Sequence, residues 1–260
     1  MKKMFVLVLA AVLLTTMTAA ACADTLKVGV KQDVYGFGYL DEMTGEYSGL
    51  EIDLGAMIAE ALGYADVEYT TVTAATRGQM LDNDELDCVI ATFTIKPERK
   101  ESWDFSSPYY VDAVTVLVEN ASGIADLADL KDKVVGVSTG STSAKALATA
   151  MAEAGVIDAF DADAFEIATF NAGVSFKEFD DYPAISLALD AGDVDAFCVD
   201  KSILANYKTD DRSFIDASFA PQDYGVATKK GSELSAKVEA LITGWLADGT
   251  IDMMIAEWGL

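Results

Sequence analysis

Two short patterns recur in this chain at nearly the same spacing. Lys27–Val30 reads Lys-Val-Gly-Val and Val134–Val137 reads Val-Val-Gly-Val, so their glycines lie 107 positions apart. Leu81–Asp87 matches Leu189–Asp195, and the closing aspartates lie 108 positions apart. Because two separate patterns share almost one offset, the sequence predicts an internal duplication.

Within each copy, short apolar runs alternate with segments of helical periodicity, which is typical of α/β folds with parallel strands. We therefore predict an α/β protein of two similar lobes. The run Asp112–Val118 has no turn residues and is expected to cross between them. We place lobe 1 at residues 24–112 and 218–260, and lobe 2 at residues 113–217. Ligands of such folds bind beyond the carboxyl ends of the strands, here in the cleft between the lobes.

The first 23 residues carry the pattern of a secretory signal peptide. Lys2 and Lys3 precede the apolar run Met4–Leu14, and small residues follow up to Ala23. We expect cleavage after Ala23 and export to the periplasm or the cell surface, with lipidation of Cys22 as the alternative. No later segment approaches the ~20 consecutive apolar residues of a transmembrane helix.

The composition excludes several classes of function. Lys and Arg number 18 against 43 Asp and Glu, and the net charge of −25 argues against nucleic acid or an anionic membrane surface as a partner. The chain contains no His, so His-based acid–base chemistry, Ser-His and Cys-His nucleophiles and most zinc sites are excluded. Cys88 and Cys198 lie in apolar runs and are predicted to be buried free thiols rather than a disulfide.

A first candidate ligand site follows the predicted strand that ends near residue 91. Thr92 and Thr94 come directly after this strand, and Pro97 favours the start of a helix. Arg99 then lies in the first helical turn, where the helix dipole already places positive charge. A cation is unfavourable at this end of a helix, which suggests a functional role. The threonine hydroxyls, the guanidinium and the start of the helix together suit a small carboxylate. The alternative is a surface arginine paired with a neighbouring glutamate.

Three other segments are expected to face the same cleft. Gly140 permits a tight turn before a helix that begins near Ser141 and Thr142, and the start of that helix suits an anion. Asp200 follows directly after its strand, where two roles are open to it: the counter-ion of a ligand ammonium and an N-cap of the next helix. Both can hold, since a carboxylate has two oxygens. The aromatic loop Tyr35–Tyr39 either closes over a ligand or packs in the core.

Anion donors on two loops and a lone carboxylate on a third match the carboxylate and the ammonium of a zwitterion. Only three arginines occur, Arg77, Arg99 and Arg212, so each needs a reason. Arg77 is a further cation near the same strand, and on its own it is interpreted as a residue on a helix surface.

Several segments carry the pattern of one known family. Gly49–Leu62 reads GLEIDLGAMIAEAL, Phe105–Tyr109 reads FSSPY after Glu98-Arg99, and Val194–Asp200 closes a strand. This combination resembles the extracytoplasmic solute-binding proteins for polar amino acids over nearly all of residues 25–260. The segments most similar to the aspartate/glutamate-binding branch are Thr76–Gly78, Ala91–Ile95, Asp181–Pro183 and Val199–Ser202.

The resemblance implies a two-lobed periplasmic-binding fold of type II, in which each lobe is a mixed sheet flanked by helices. It implies that Arg99 and Thr94 hold the α-carboxylate of the ligand with help from Ser141 and Thr142. It also implies that Asp200 pairs with the α-ammonium.

The same resemblance implies that Thr92 lines the pocket. In the acidic branch, Arg77, Lys31 and Tyr182 would reach the side-chain carboxylate of the ligand. The first loop departs from the family pattern, because Gly36-Phe37 replaces the common Pro-Phe, so the resemblance does not assign the aromatic that stacks on the ligand.

We therefore expect a monomeric binding protein, not an enzyme, that uses neither cofactor nor metal. Its partners would be a free L-amino acid, with aspartate or glutamate favoured, and the membrane permease of an ABC importer. The alternatives are binding of glutamine, cysteine or another polar amino acid, a dehydratase on the same fold, and the sensor domain of a receptor.

Overall fold

The computed structural model describes residues 25–260. The predicted signal peptide and Cys22 lie outside this range. Among the described residues, no helix combines the length and the apolar character needed to cross a bilayer.

Fourteen strands occur in this range, and most are short. They are β1 Thr25–Val30, β2 Asp33–Val34, β3 Gly38–Leu40, β4 Tyr47–Ser48, β5 Asp66–Thr71, β6 Cys88–Ile90, β7 Trp103–Phe105, β8 Tyr110–Glu119, β9 Val134–Ser138, β10 Ser175–Phe179, β11 Ala196–Asp200, β12 Arg212–Phe214, β13 Phe219–Tyr224 and β14 Ala227–Lys229.

The same range contains eight α-helices and five short 3₁₀ turns. The helices are α1 Leu50–Leu62, α2 Arg77–Asp82, α3 Pro97–Ser102, α4 Ser143–Glu153, α5 Tyr182–Asp190, α6 Lys201–Leu204, α7 Glu233–Ala247 and α8 Thr250–Trp258. The 3₁₀ turns are Asn120–Ser122, Ala128–Leu130, Ala162–Ala164, Ile167–Thr169 and Ala205–Tyr207.

Two mixed sheets organise the molecule. The first has the order β5-β1-β6-β14-β7, with β5, β1 and β6 parallel and β14 antiparallel to both neighbours. The second has the order β10-β9-β11-β8-β12, with β13 also paired to β8. We refer to the units built on these sheets as the first and the second lobe. They confirm the predicted α/β architecture, whereas the lobe boundaries at residues 112/113 and 217/218 stay a prediction.

The predicted duplication is visible as one repeated contact. In the first lobe, Lys27 N–H donates to the Asp87 carboxylate at 2.8 Å, and Asp87 N–H donates back to the Lys27 carbonyl at 2.8 Å. In the second lobe, Val134 and Asp195 exchange the same two hydrogen bonds at 2.8 Å each. The aspartate in each pattern thus closes the same strand-to-strand connection.

The chain crosses between the lobes on two antiparallel strands, β8 and β13. Their register pairs Tyr110 with Tyr224 and Asp112 with Gln222. Tyr224 also forms a bridge with Thr94, which follows β6 of the first sheet. The predicted crossing segment therefore belongs to β8, and β13 runs beside it as the return path.

Glycine ends the first long helix as its sequence predicts. Gly63 adopts a left-handed conformation with φ 79°, and its N–H bonds to carbonyl oxygens of the last turn of α1. Helix α1 buries an apolar face that includes Leu54 and Ile58 against the first sheet. Cys88 and Cys198 are buried free thiols, as predicted.

Candidate functional site

Arg99 links the two lobes. It lies in α3, which begins at Pro97 as predicted. Its Nη1 donates to the Thr94 carbonyl at 2.9 Å, and its Nη2 donates to the Gly140 carbonyl at 3.2 Å across the cleft. The alternative of a surface arginine paired with Glu98 or Glu101 is wrong, because among the described residues neither carboxylate forms an ion pair with it. Burial, and then the charge of Arg77, lower the pKa of Arg99 to about 9, so it stays charged at neutral pH.

Arg77 is buried, contrary to the interpretation from its local sequence. Only 4% of the residue is exposed, although it begins a helix. Its Nη1 donates to the Ala91 carbonyl at 2.6 Å, and its guanidinium lies 3.9 Å above the ring of Phe93. Its Nε has no hydrogen-bond partner among residues 25–260. A buried guanidinium with an unused donor suits an anionic group.

Thr92 is held in an unusual conformation beside Arg77. Its φ is +44°, a left-handed value that β-branched residues rarely adopt. Its N–H donates to Glu51 Oε1 at 2.5 Å, and the same oxygen accepts from the Tyr109 hydroxyl at 2.6 Å. The Thr92 hydroxyl has no partner within the described part of the chain. Glu51 therefore supports a loop that lies against Arg77, whose Nη1 donates to the Thr92 carbonyl at 3.3 Å.

Glu51 is completely buried, and burial raises its pKa to about 7. The hydrogen bonds from Tyr109 and Thr92 and the charges of Arg77 and Lys31 oppose that rise. This carboxyl group therefore changes charge near neutral pH.

Asp200 does not cap the helix that follows it. No N–H of α6 bonds to its carboxylate, and the Ser202 N–H bonds instead to Asp112 at 3.0 Å. The Tyr224 hydroxyl donates to Asp200 at 2.5 Å. Burial raises the pKa of Asp200 to about 7, although the charges of Arg77 and Arg99 act to lower it. The N-cap alternative is therefore wrong. Asp200 instead lies near enough to Arg77 and Arg99 for their charges to affect its pKa.

Lys31 is almost fully buried but already has a partner. Its Nζ lies 3.2 Å from Asp33 Oδ1 and 4.5 Å from the ring centre of Tyr182. Asp33 also accepts a hydrogen bond from the Tyr182 N–H at 3.2 Å, and its carbonyl accepts from the Tyr207 hydroxyl at 2.9 Å. The first loop is thus joined to the start of α5 in the second lobe.

Thr94 and Thr142 meet at one side chain that the sequence did not single out. Their hydroxyls donate to Gln222 Oε1 at 2.7 and 2.9 Å. Each threonine hydroxyl has a single hydrogen, so in this arrangement neither is free to donate to a carboxylate.

Ser141 lies in the turn before α4. Its N–H donates to the Ser138 carbonyl at 3.0 Å, and its hydroxyl accepts from the Ser143 N–H at 3.4 Å. The hydroxyls of Ser138 and Ser143 are buried without a partner among the described residues. Gly140 has φ +74°, and an added Cβ would lie 3.0 Å from Ala75, so this turn touches the first lobe closely.

The aromatic loop Tyr35–Tyr39 packs partly in the core. Phe37 is fully buried and contacts the rings of Tyr110 and Tyr224. Tyr35 is 62% exposed and contacts the ring of Tyr39. The core-packing alternative is therefore correct for Phe37, while the ring that lies under Arg77 and Arg99 is Phe93.

We refer to the buried residues Lys31, Glu51, Arg77, Thr92, Tyr182 and Asp200 as the interlobe polar cluster. Of the other four predicted residues, Arg99, Ser141 and Thr142 line one cavity, and the Thr94 carbonyl holds Arg99. This cavity of about 840 Å³ lies along α4. The other residues that line this cavity are partly apolar and partly charged. We therefore place the ligand site at the interlobe polar cluster, where buried polar atoms lack hydrogen-bond partners.

Sequence reasoning missed Glu51, Phe93, Gln222 and Tyr224. Glu51 carried a usable signal, because it is an acidic residue at a position whose neighbours Leu50 and Ile52 are buried in the core. Phe93 lies between the two threonines that were selected. Nothing local distinguishes Gln222 or Tyr224. No group of three or more His, Cys, Asp or Glu in the described range could hold a metal ion.

Comparison with known proteins supports the fold and identifies the family. The family model described as bacterial extracellular solute-binding proteins, family 3, matches residues 26–260. The "ABC transporter glutamine-binding protein GlnH" of Bacillus subtilis (strain 168) is 32% identical over 250 residues, which covers 93% of this chain and 84% of that protein.

Two solved structures are similar over most of the chain. An ancestral arginine-binding protein bound to arginine has a TM-score of 0.76 and 31% identity, covering 92% of this chain and 100% of its own. The ancestral amino acid-binding protein AncCDT-1, a precursor of cyclohexadienyl dehydratase, has a TM-score of 0.73 and 29% identity, covering 90% and 95% of the two chains. These likenesses confirm the predicted two-lobed periplasmic-binding fold.

Proposed function

This chain belongs to family 3 of the bacterial extracellular solute-binding proteins, and on that premise we propose that it binds a free amino acid between its lobes. It acts outside the cytoplasm as a monomer and delivers its ligand to the membrane permease of an ABC importer. No covalent bond is made or broken. The names of its relatives, which include a glutamine-binding protein and a structure holding arginine, support an amino acid as the ligand.

The observation that carries the proposal is the placement of Arg99 and Asp200 on opposite lobes beside the same cleft. Arg99 comes from the first lobe and touches the second, while Asp200 ends a strand of the second lobe. The charge of each shifts the pKa of the other, which is consistent with both side chains facing the same cleft. A cation and an anion placed in this way match the carboxylate and the ammonium of an α-amino acid.

The α-carboxylate of the ligand is assigned to Arg99, the Ser141 hydroxyl and the backbone N–H of Thr142, because the Thr142 hydroxyl already donates to Gln222. The buried Ser143 hydroxyl and the first amides of α4 add donors at the positive end of an eleven-residue helix. Thr94 contributes through its carbonyl, which holds Arg99, because its hydroxyl donates to Gln222.

An acidic side chain is favoured by the balance of charge in the interlobe polar cluster. Lys31 is already paired with Asp33, which leaves Arg77 as the buried cation with an unused donor. Thr92 carries a hydroxyl without a partner among the described residues, and the ring of Tyr182 lies under Lys31. A second carboxylate on the ligand would pair with Arg77, so aspartate or glutamate would gain more than a neutral amino acid.

Closure of the cleft follows from contacts with both lobes. A ligand held by Arg99 on one side and Asp200 on the other binds the closed form better than the open form. The differential affinity shifts the population toward closure, and the crossing strands β8 and β13 absorb the motion.

A thermal-shift screen against the twenty amino acids tests the proposal. A ligand at 100 times its dissociation constant adds about 2.7 kcal/mol to the free energy of unfolding. We expect glutamate and aspartate to raise the melting temperature most. Stabilisation by glutamine or cysteine alone would refute the acidic specificity, and no stabilisation by any amino acid would refute the ligand class.

A dehydratase remains the second candidate function. It is favoured by the likeness to AncCDT-1 and by two buried carboxyl groups, Glu51 and Asp200, whose pKa values lie at about 7. A binding protein returns its ligand unchanged, so incubation with a cyclohexadienyl substrate and analysis of the products separates the two functions.

A further inference from the structure

Gln222 joins the two lobes through a single oxygen atom. Its Oε1 accepts the Thr94 hydroxyl from the first lobe at 2.7 Å and the Thr142 hydroxyl from the second lobe at 2.9 Å. The residue is completely buried, so water does not compete for these bonds.

The amide of Gln222 is fixed from its other end. Its Nε2 donates to the Ala220 carbonyl at 2.7 Å. Ala220 has φ +50°, and the register of β13 shifts between Phe219 and Pro221. This bulge turns the Ala220 carbonyl toward the amide nitrogen, so the amide oxygen faces the two hydroxyls.

The position of Gln222 in the chain makes this contact sensitive to the angle between the lobes. It lies on β13 opposite Asp112, where the chain crosses from the second sheet to the first. Thr94 moves with the first sheet and Thr142 with α4 of the second. One oxygen can hold both hydroxyls only while the lobes are closed.

We propose that Gln222 is a positioning residue that clasps the two lobes and holds the closed form of the cleft in the absence of ligand. The clasp raises the ligand-competent population of the free protein. The apparent affinity for a ligand is then higher, because it scales with the fraction of molecules that are already in the binding-competent form.

The first experiment needs no ligand. Spin labels are attached to Glu60→Cys on α1 and Leu187→Cys on α5, which are exposed positions on opposite lobes, while Cys88 and Cys198 are buried. Pulsed electron paramagnetic resonance then reports the distance between the lobes. We expect the labelled parent protein to populate the closed distance without ligand, and Gln222→Leu to shift that population to longer distances.

Two further variants keep the test decisive. Thr142→Val removes one hydroxyl at nearly constant shape and is expected to open the cleft as Gln222→Leu does. Gln79→Leu makes the same substitution on the exposed surface of α2 and should leave the distance unchanged. A parent protein that is open without ligand, or distances unchanged in both clasp variants, would overturn the proposal.

A second readout measures affinity and rests on the proposed function. With L-glutamate as the probe, Gln222→Leu should bind about 10-fold more weakly, which corresponds to the two lost hydrogen bonds. The bound protein should return to the closed distance. If L-glutamate does not bind the parent protein, the proposed specificity fails. The interlobe distances measured without ligand still test whether Gln222 holds the closed form. Affinity unchanged in Gln222→Leu, with binding intact in the parent, would count against the clasp.

Discussion

The Arg99 guanidinium donates a hydrogen bond to the Gly140 carbonyl at 3.2 Å, and this contact joins the two lobes. Gly140 is positioned for it by a left-handed turn that brings its backbone against Ala74 and Ala75 of the first lobe. The guanidinium therefore already spans the cleft in which we propose the ligand binds. Because Arg99 contacts both lobes, the affinity of the site for its ligand depends on closure of the cleft.

Replacement of Arg99 by alanine tests the carboxylate assignment. The ligand carboxylate would lose its charged partner, which costs roughly 2–5 kcal/mol, or about 30-fold to several-thousand-fold in affinity. Titration calorimetry with L-glutamate measures the loss. Lys100→Ala removes an exposed charge from the same helix and serves as the control. Equal affinity in Arg99→Ala and the parent protein would remove the central assignment.

Arg77 is predicted to set selectivity between acidic and neutral ligands. Arg77→Met keeps an unbranched side chain over Phe93 but removes the charge, so the affinity for glutamate should fall by at least about 30-fold. The affinity for glutamine should change much less. Calorimetry with both ligands gives the ratio directly. A uniform loss for both ligands would mean that Arg77 supports the site without reading the side chain.

The affinity of the site is predicted to depend on pH through Asp200. Its pKa of about 7 means that the carboxyl group is largely protonated below pH 7, whereas an ammonium requires the carboxylate. Affinity for L-glutamate should therefore fall by up to about tenfold for each pH unit below 7 and level off above it. Asp200→Asn should bind weakly with a flatter profile. A parent profile that is flat between pH 5 and 8 would contradict the assignment.

Glu51 is predicted to make stability depend on pH. Burial raises its pKa in the folded state from 4.5 to about 7, so the folded protein binds more protons than the unfolded chain between these values. The free energy of unfolding should therefore decrease as pH rises through this window, by on the order of 3 kcal/mol from this group.

Urea unfolding at pH 5 and pH 7.5 measures this dependence. Glu51→Gln should reduce the difference between the two pH values, and Glu60→Gln, on the exposed face of the same helix, should leave it unchanged. The same difference in Glu51→Gln as in the parent protein would exclude Glu51 as the source.

Arg212 is predicted to be structural. It is buried in the second lobe, where Nε donates to Glu119 at 2.7 Å and Nη1 donates to Ser186 at 2.8 Å, with Asp190 as a further partner. Glu119 and Asp190 are partly solvent-exposed, which limits the cost of leaving them unpaired. Arg212→Met should lower the free energy of unfolding by about 2–3 kcal/mol, with glutamate affinity nearly unchanged. A loss of affinity matching that of Arg99→Ala would place Arg212 in the site.

The sequence by itself determined the architecture of this protein. Short-range patterns that the structure confirms predict the strands with the repeated Gly, the Asp before each partner strand, and the start of α3 at Pro97. These patterns work because backbone conformation and burial depend mainly on neighbouring residues. The internal offset also brought the predicted site residues to one cleft, since the ends of parallel strands meet at one edge of a sheet.

Only the tertiary structure decided how the side chains at that cleft are used. Local sequence placed Arg77 on a helix surface and Asp200 equally at a cap or a ligand, but packing buried Arg77 on Phe93 and turned Asp200 to Tyr224. Gln222 meets Thr94 across 128 positions of sequence. Such contacts depend on the relative position of the two sheets, and no local sequence pattern specifies that arrangement.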